Sequence, residues 1–216
     1  MNRRRFVASL GALGTAGVTG CLGEENEGDT VPLGSHPVSE GLDDQPSIGE
    51  SDAPTRIVAF EDPSCHSCQN FEKNVFPTMR DEMVETGDTE FTYRLFTQPV
   101  QAWGTDASKA LEATYARDEA AFWELKRFYY EKFDFSTEDV LPRTEEFLAD
   151  TGVDAEAVVE GVRSGGFDEA VESDRQVGER AGVEGTPTFF LVDGDEVVAS
   201  VVGPQSTSVF RNALGL

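Results

Sequence analysis

The chain has 216 residues, of which 41 are acidic and only 17 basic, so its formal net charge is −24. No basic patch is visible that could follow a phosphate backbone, which excludes nucleic-acid binding. The acidic residues are spread over the whole chain, and this predicts adaptation to concentrated salt, where charge repulsion is screened. An acidic surface that meets a basic partner is the alternative interpretation.

Residues 1–20 have the pattern of an export signal. Arg-Arg-Arg-Phe-Val at residues 3–7 precedes a short run of small residues that is too short to span a bilayer. The paired arginines resemble a twin-arginine signal, and Val-Thr-Gly-Cys at residues 18–21 resembles a lipobox, in which Cys21 carries lipid. We therefore predict anchoring to the outer face of the cytoplasmic membrane. The alternative is that Cys21 is an ordinary residue of a cleaved signal.

Residues 21–45 are rich in Glu, Asp, Gly, Ser and Pro and lack apolar periodicity, which predicts an acidic flexible tether. About 25 such residues reach roughly 25–30 Å on average, enough to lift a domain off a membrane surface. His36 lies in this segment and is interpreted as a solvated residue. The predicted domain spans residues 46–216.

The most informative stretch joins a predicted strand, residues 56–60, to a predicted helix, residues 69–83, with Cys65 and Cys68 at the join. Unpaired N–H groups and the positive dipole end of a helix N-terminus stabilise a thiolate, so the pKa of Cys65 should fall. With Cys21 assigned to lipid, the two cysteines must serve each other. A disulfide across so short a loop stabilises little. The pattern therefore predicts reversible thiol–disulfide exchange.

Downstream of the cysteines, a long helical block separates two strand regions. Residues 91–96 alternate as a strand, and Pro77 should kink or interrupt the helix before it. From residue 106 to about residue 182 only helices are predicted, at residues 107–116, 119–133, 144–150, 154–161 and 167–181. Strands at residues 188–192 and 196–202 flank a hairpin turn, and residues 206–214 form the last helix. This order indicates an α/β architecture.

Gly-Thr-Pro-Thr-Phe at residues 185–189 opens the third core strand, where a proline can simply mark a strand edge. Together with the cysteines, this segment resembles the DsbA-like branch of the thioredoxin superfamily. The resemblance covers residues 46–216 and rests on Gly49, Ala53, Pro54, Phe60, Asp62, Cys65, Cys68, Pro77 and residues 185–189. It implies a thioredoxin-like fold with a central mixed β-sheet and a helical insertion at about residues 104–182. It also implies a cis Pro187, substrate binding at Gly185 and Thr186, and Cys65 as the exposed nucleophile.

Two departures from the family pattern affect the predicted chemistry. Relatives commonly carry Pro after the first cysteine, whereas this chain has His66 and then Ser67, so their redox potential does not carry over. His66 either supports the thiolate as a cation or donor, or is an exposed bystander. Some relatives carry a buried acid six residues before the first cysteine, whereas this chain has Ala59 at that position. Glu61 and Asp62 are candidates for a proton shuttle, unless they are turn-forming or surface charges.

The two cysteines and the aromatic residues also allow other interpretations. A zinc site fails on ligand number, because structural zinc takes four ligands and no second cysteine pair exists. The aromatic run at residues 122–135 favours the core of the insertion, with a substrate-binding face as the alternative, and Trp103 is similarly ambiguous.

The sequence thus predicts an extracytoplasmic protein disulfide oxidoreductase, with Cys65, Cys68, His66 and Pro187 as catalytic residues. Export to an oxidising face favours oxidation of substrates, although reduction would use the same residues. A non-catalytic lipid-anchored binding module with a structural disulfide is the alternative function. The predicted partners are exported proteins with cysteine thiols or disulfides, a redox partner and the membrane. No bound cofactor or metal is implied.

Overall fold

A six-stranded sheet forms the centre of the computed structural model, which describes residues 30–98 and 100–216. The strands are β1 Val31–Pro32, β2 Ser47–Ile48, β3 Thr55–Glu61, β4 Thr89–Leu95, β5 Thr188–Asp193 and β6 Glu196–Val202. Their order is β1–β6–β5–β3–β4–β2. Because β3 runs parallel to β4 and antiparallel to β5, the sheet is mixed. This mixed sheet agrees with the predicted α/β architecture.

Helices cover the sheet and build the insertion. The described helices are α1 His66–Asn74, α2 Phe76–Met79, α3 Gly104–Tyr115, α4 Glu119–Lys132, α5 Val140–Leu148, α6 Ala155–Arg163, α7 Asp168–Arg180 and α8 Thr207–Leu214. The five helices from α3 to α7 lie between β4 and β5, so the predicted helical block is confirmed. Its last helix, α7, returns to pack against β4.

The central strand β3 is buried on both faces, which explains its unbroken apolar run. Alternate side chains of a strand point to opposite faces. Ile57 and Ala59 join the larger apolar cluster with residues of α1, β5 and α8, while Val58 and Phe60 join a second cluster with residues of α7. A strand that supplies two cores needs apolar residues at consecutive positions.

The helix after the cysteines is interrupted, as predicted from Pro77. Helix α1 ends at Asn74, and α2 begins after Val75 with Pro77 as its second residue. Because proline has no N–H, it cannot donate the bond to Lys73 that would continue α1. A short π-helical turn, Arg80–Val84, follows α2.

Residues 30–45 lie on the sheet, and the predicted flexible tether is wrong for this part of the chain. Val38 and Leu42 are buried against Phe190 and its neighbours in the second apolar cluster. His36 is half-buried, with its ring 5.1 Å from that of Phe190 and its Nδ1 accepting the Val38 N–H at 3.2 Å. Single apolar residues that cover an otherwise open sheet face need no periodicity, so the pattern missed them.

The predicted signal sequence and Cys21 lie outside the described residues. None of the described helices is both long enough and apolar enough to cross a membrane.

Candidate active site

The two cysteines lie where β3 turns into α1. Oδ1 of Asp62 accepts hydrogen bonds from the N–H and the hydroxyl of Ser64, both at 2.7 Å, and Asp62 O accepts the Cys65 N–H at 3.0 Å. This turn makes Cys65 the N-cap residue of α1, and Cys68 follows in the first helical turn. The position at the helix N-terminus is the one predicted for a reactive thiol.

The start of α3 braces this turn from the insertion side. Gln101 donates its N–H to Ser64 Oγ and its Nε2 to Ser64 O, both at 3.3 Å, and Trp103 Nε1 donates to Gln101 Oε1 at 3.2 Å. A Cβ at Gly104 would lie 2.7 Å from Ser64 Cβ, too close for any ordinary contact. Helix α3 can therefore begin against the turn because residue 104 is glycine. Trp103 is buried and belongs to the core.

The two thiols differ in exposure and acidity. Both are free, with Cys65 6% exposed and Cys68 fully buried. A hydrogen bond from the Cys68 thiol is the largest cause that lowers the pKa of Cys65 to about 5, assisted by Thr186 and the N–H groups of Ser67 and Cys68. Burial raises the pKa of Cys68 well above its ordinary value. Of the two sulfurs, Cys65 is therefore the one whose thiolate is favoured, although it is less exposed than the resemblance implies.

The segment around Pro187 covers Cys65. The Thr186–Pro187 bond is cis, as the resemblance implied, and the Cys65 thiol donates to Thr186 O at 3.3 Å. Pairing of Phe60 with Thr188 brings this segment to the end of β3. A hydrogen bond from the Gly203 N–H to Pro187 O, at 2.8 Å, also holds this segment in place. The structure therefore brings the predicted residues Cys65, Cys68, Thr186 and Pro187 together.

The buried carboxyl group of Glu61 acts on Cys68, because its charge is one of the causes that raise the pKa of that thiol, after burial. Glu61 is fully buried, and its Oε1 lies 3.7 Å from Nζ of Lys126 on α4. Burial raises the pKa of Glu61 to about 7, although the charge of Lys126 opposes this shift. Burial likewise raises the pKa of Asp62 to about 6. The interpretation of these two acids as surface charges is therefore wrong, while Asp62 does form the turn through its bonds with Ser64.

Sequence reasoning missed Lys126, which connects Glu61 to Glu72. Its ammonium contacts the Glu72 carboxylate and is surrounded by the rings of Phe76, Phe91, Tyr93, Trp123 and Tyr130, with centroids 4.9–6.0 Å away. Burial alone would lower the pKa of Lys126, but Glu61 and Glu72 outweigh it and raise that pKa. The available signal in the sequence was a lysine flanked by aromatic residues within α4. Glu72 also lines an open groove of about 830 Å³ beside α1 and α4.

His66 faces the insertion and does not enter the core. It is the first residue of α1, it is exposed, and its ring centroid lies 4.6 Å from that of Phe133. Within residues 30–98 and 100–216, no group of three or more His, Cys, Asp or Glu side chains is placed to hold a metal ion.

Residues 42–212 match a family model described as thioredoxin. Among curated proteins, disulfide bond formation protein D of Bacillus subtilis is 29% identical over 155 residues, which cover 69% of this chain and 68% of that protein. A probable disulfide bond formation protein D of Bacillus anthracis is 27% identical over 154 residues, covering 68% of this chain and 69% of that protein.

Solved structures share the fold. Oxidised BdbD of Bacillus subtilis superposes with a TM-score of 0.70 at 21% identity, covering 88% of this chain and all of that one. The alpha-DsbA1 protein of Wolbachia pipientis gives a TM-score of 0.69 at 17% identity, covering 81% of this chain and 90% of the other. The family match and the cysteine site together show that this chain belongs to the thioredoxin family, among its DsbA-like thiol–disulfide oxidoreductases.

Proposed function

We propose that this protein is an extracytoplasmic oxidase that forms disulfides in exported proteins, with Cys65 and Cys68 as its redox pair. The observation that carries the proposal is the opposite behaviour of the two thiols. The pKa of Cys65 falls to about 5 while burial raises the pKa of Cys68. A stabilised Cys65 thiolate favours the reduced enzyme over its disulfide, which makes the enzyme disulfide more oxidising.

In the proposed reaction, a substrate thiolate attacks Sγ of Cys65 in the enzyme disulfide, and the Cys65–Cys68 bond breaks. The sulfur of Cys68 leaves with the electron pair. A second substrate thiolate then attacks the substrate sulfur of the mixed disulfide and expels Cys65 as a thiolate. The substrate is oxidised to a disulfide and the enzyme is reduced to a dithiol. A redox partner must then remove two electrons and two protons to restore the enzyme disulfide.

Glu61 is proposed to supply the proton that Cys68 needs as it leaves. Its pKa of about 7 keeps a proton available near neutral pH. Lys126 balances the carboxylate that remains, and Glu72, at 11% side-chain exposure, is the member of the group nearest to solvent. Protons can therefore exchange with the groove rather than through the face that a substrate covers.

The test is thiol exchange on a reduced, unfolded protein in concentrated salt, with variants of each cysteine. Cys65→Ser should abolish oxidation. Cys68→Ser, offered a substrate that contains a disulfide, should accumulate a mixed disulfide, because the Cys65 thiolate attacks that disulfide, expels one substrate sulfur as a thiolate and has no resolving cysteine. Wild-type rates in Cys65→Ser would instead support a passive disulfide in a binding module. A strongly reducing potential for the pair, with reduced cysteines in isolated membranes, would contradict the oxidase direction and favour a reductase.

Membrane anchoring through Cys21 is part of the proposal, supported by the lipobox-like residues 18–21 and the arginines at residues 3–5. Residues 22–29 lie between Cys21 and Thr30, the first described residue, and would belong to the link to the lipid. Cys21→Ser should release the protein from washed membranes, and unchanged membrane retention of that variant would contradict the anchor.

A further inference from the structure

Tyr130 on α4 packs with the active-site cysteines. It is fully buried and forms with Cys65 and Cys68 a small cluster that is separate from the two larger apolar clusters. The main-chain oxygen of Tyr130 accepts a hydrogen bond from Gln69 Nε2 at 2.9 Å, which ties α4 to α1 one residue after Cys68. The insertion therefore holds this side chain against the redox pair.

The hydroxyl of Tyr130 is one of several buried polar atoms around Lys126. It has no hydrogen-bond partner among the described residues, and the same is true of both carboxyl oxygens of Glu61. The ammonium of Lys126 lies 5.2 Å from the centre of the Tyr130 ring and 3.7 Å from Glu61 Oε1. Buried hydroxyl and carboxyl groups are normally hydrogen-bonded, because leaving one unpaired costs free energy. The Tyr130 hydroxyl is therefore available to a neighbouring acid that changes its charge.

The Tyr130 hydroxyl keeps its own proton and acts on the carboxyl group of Glu61. Burial, and then the charge of Glu61, raises the pKa of Tyr130 well above its ordinary value, so the phenol remains a donor at neutral pH. Burial raises the pKa of Glu61, and Lys126 and the Tyr130 hydroxyl oppose that rise. The titratable groups around Glu61 come from three elements: Lys126 and Tyr130 on α4, Glu72, Cys65 and Cys68 in or next to α1, and Tyr93 on β4.

We propose that Tyr130 is a positioning residue for proton transfer, and that its hydroxyl donates a hydrogen bond to the Glu61 carboxylate that forms when Cys68 takes the proton. The inference rests on the proposed function, with Glu61 as the proton donor. In this step the O–H bond of the Glu61 carboxyl group breaks, the S–H bond of Cys68 forms, and Tyr130 stays protonated. Because a carboxylate accepts hydrogen bonds more strongly than a neutral acid does, Tyr130 favours the product of the transfer.

The test is the pH dependence of a single turnover in Tyr130→Phe. Oxidised enzyme is mixed with a reduced peptide that contains two cysteines, in concentrated salt from about pH 5 to about pH 9, and loss of the Cys65–Cys68 disulfide is followed. Dividing the rate constant of the variant by that of the wild type cancels the ionisation of the peptide thiols. This rate ratio should rise about tenfold from the lowest to the highest pH, the size expected for one hydrogen bond to a charged group. The reason is that Glu61 without the Tyr130 hydroxyl is a weaker acid, which transfers its proton more slowly at low pH but keeps it at higher pH.

A neighbouring tyrosine provides the matched control for packing. Tyr129 on α4 is also fully buried, but it belongs to the larger apolar cluster and its hydroxyl pairs with that of Thr144 at 2.5 Å. Tyr129→Phe should lower stability more than Tyr130→Phe does, because only Tyr129 loses a hydrogen bond. Its rate ratio should nevertheless stay constant with pH.

The Glu61→Gln background shows whether Tyr130 acts through Glu61. In that background, adding Tyr130→Phe should give a rate ratio that does not change with pH. A constant ratio for Tyr130→Phe alone would overturn the positioning role, and so would a ratio that rises equally in the Glu61→Gln background. Failure of the wild-type enzyme to oxidise the peptide would instead overturn the proposed function.

Discussion

Glu61 is the residue at which stability and activity are expected to oppose each other. Both of its carboxyl oxygens are buried without a hydrogen-bond partner among the described residues, and Lys126 at 3.7 Å compensates only in part. Burial raises the pKa of Glu61 from 4.5 to about 7. The folded state therefore holds this proton more tightly than the unfolded state does. The contribution of this group to the free energy of unfolding is fully present below pH 4.5 and is lost as the pH rises through about 7.

We predict that Glu61→Gln stabilises the protein and slows its catalysis. Above pH 7 the free energy of unfolding should rise by roughly 1–3 kcal/mol, and this gain should disappear towards pH 4.5. Release of Cys68 from the disulfide should slow about tenfold or more, because its proton donor is gone. Denaturant unfolding and single-turnover exchange across this pH range measure both effects. Glu124→Gln, at an exposed position, is the control. Equal effects in the two variants would contradict the assignment of Glu61 as the proton donor for Cys68.

At the scale of elements, one buried ion pair joins the insertion to the sheet and to the N-terminal segment. Arg94 on β4 donates to Asp174 on α7 at 2.8 Å, and Asp174 also accepts the Leu95 N–H at 3.1 Å and Gln45 Nε2 at 3.0 Å. Arg94 also donates to the main-chain oxygen of Glu40. Helix α7, strand β4 and residues 40–45 are thus held by a single group of polar contacts.

Asp174→Asn should lower the free energy of unfolding by about 3–5 kcal/mol, because it leaves the Arg94 guanidinium buried without a counter-charge. Hydrogen exchange should rise first in residues 30–45, which lose their contacts with α7. The double variant Arg94→Met, Asp174→Leu should recover much of the loss, since no charge then remains buried. A double variant as unstable as the single one would show that the elements are held by something other than this pair.

At the scale of the whole molecule, the net charge of −24 is expected to dominate the dependence of stability on salt. Surface ion pairs such as Arg175 with Glu172 contribute little individually, and the excess of acidic residues repels itself at low ionic strength. We predict that the melting temperature rises by several degrees between about 0.1 M and 2 M potassium chloride, where the screening length falls from about 10 Å to below 3 Å. An unchanged or falling melting temperature would remove the support for adaptation to concentrated salt.

Much of the fold and half of the site followed from local patterns. The apolar run of β3, the helical periodicity of α3–α7 and the hairpin around Gly194 identified the elements to within a few residues. The position of Cys65 before a helix indicated its reactivity. Local patterns failed at residues 30–45. Their few apolar side chains are core residues only because they pack on a sheet that is assembled from distant strands.

The chain alone determined the chemistry, since two cysteines at the junction of a buried strand and a helix indicate thiol exchange whatever surrounds them. Only the folded molecule decided how the two sulfurs differ. Lys126 lies beside Glu61 although it is 65 residues further along the chain, and Phe133 contacts His66 across a similar separation in sequence. Burial and charge set the pKa of a group through neighbours in space. Those neighbours are brought together by the packing of the insertion on α1, which no local pattern records.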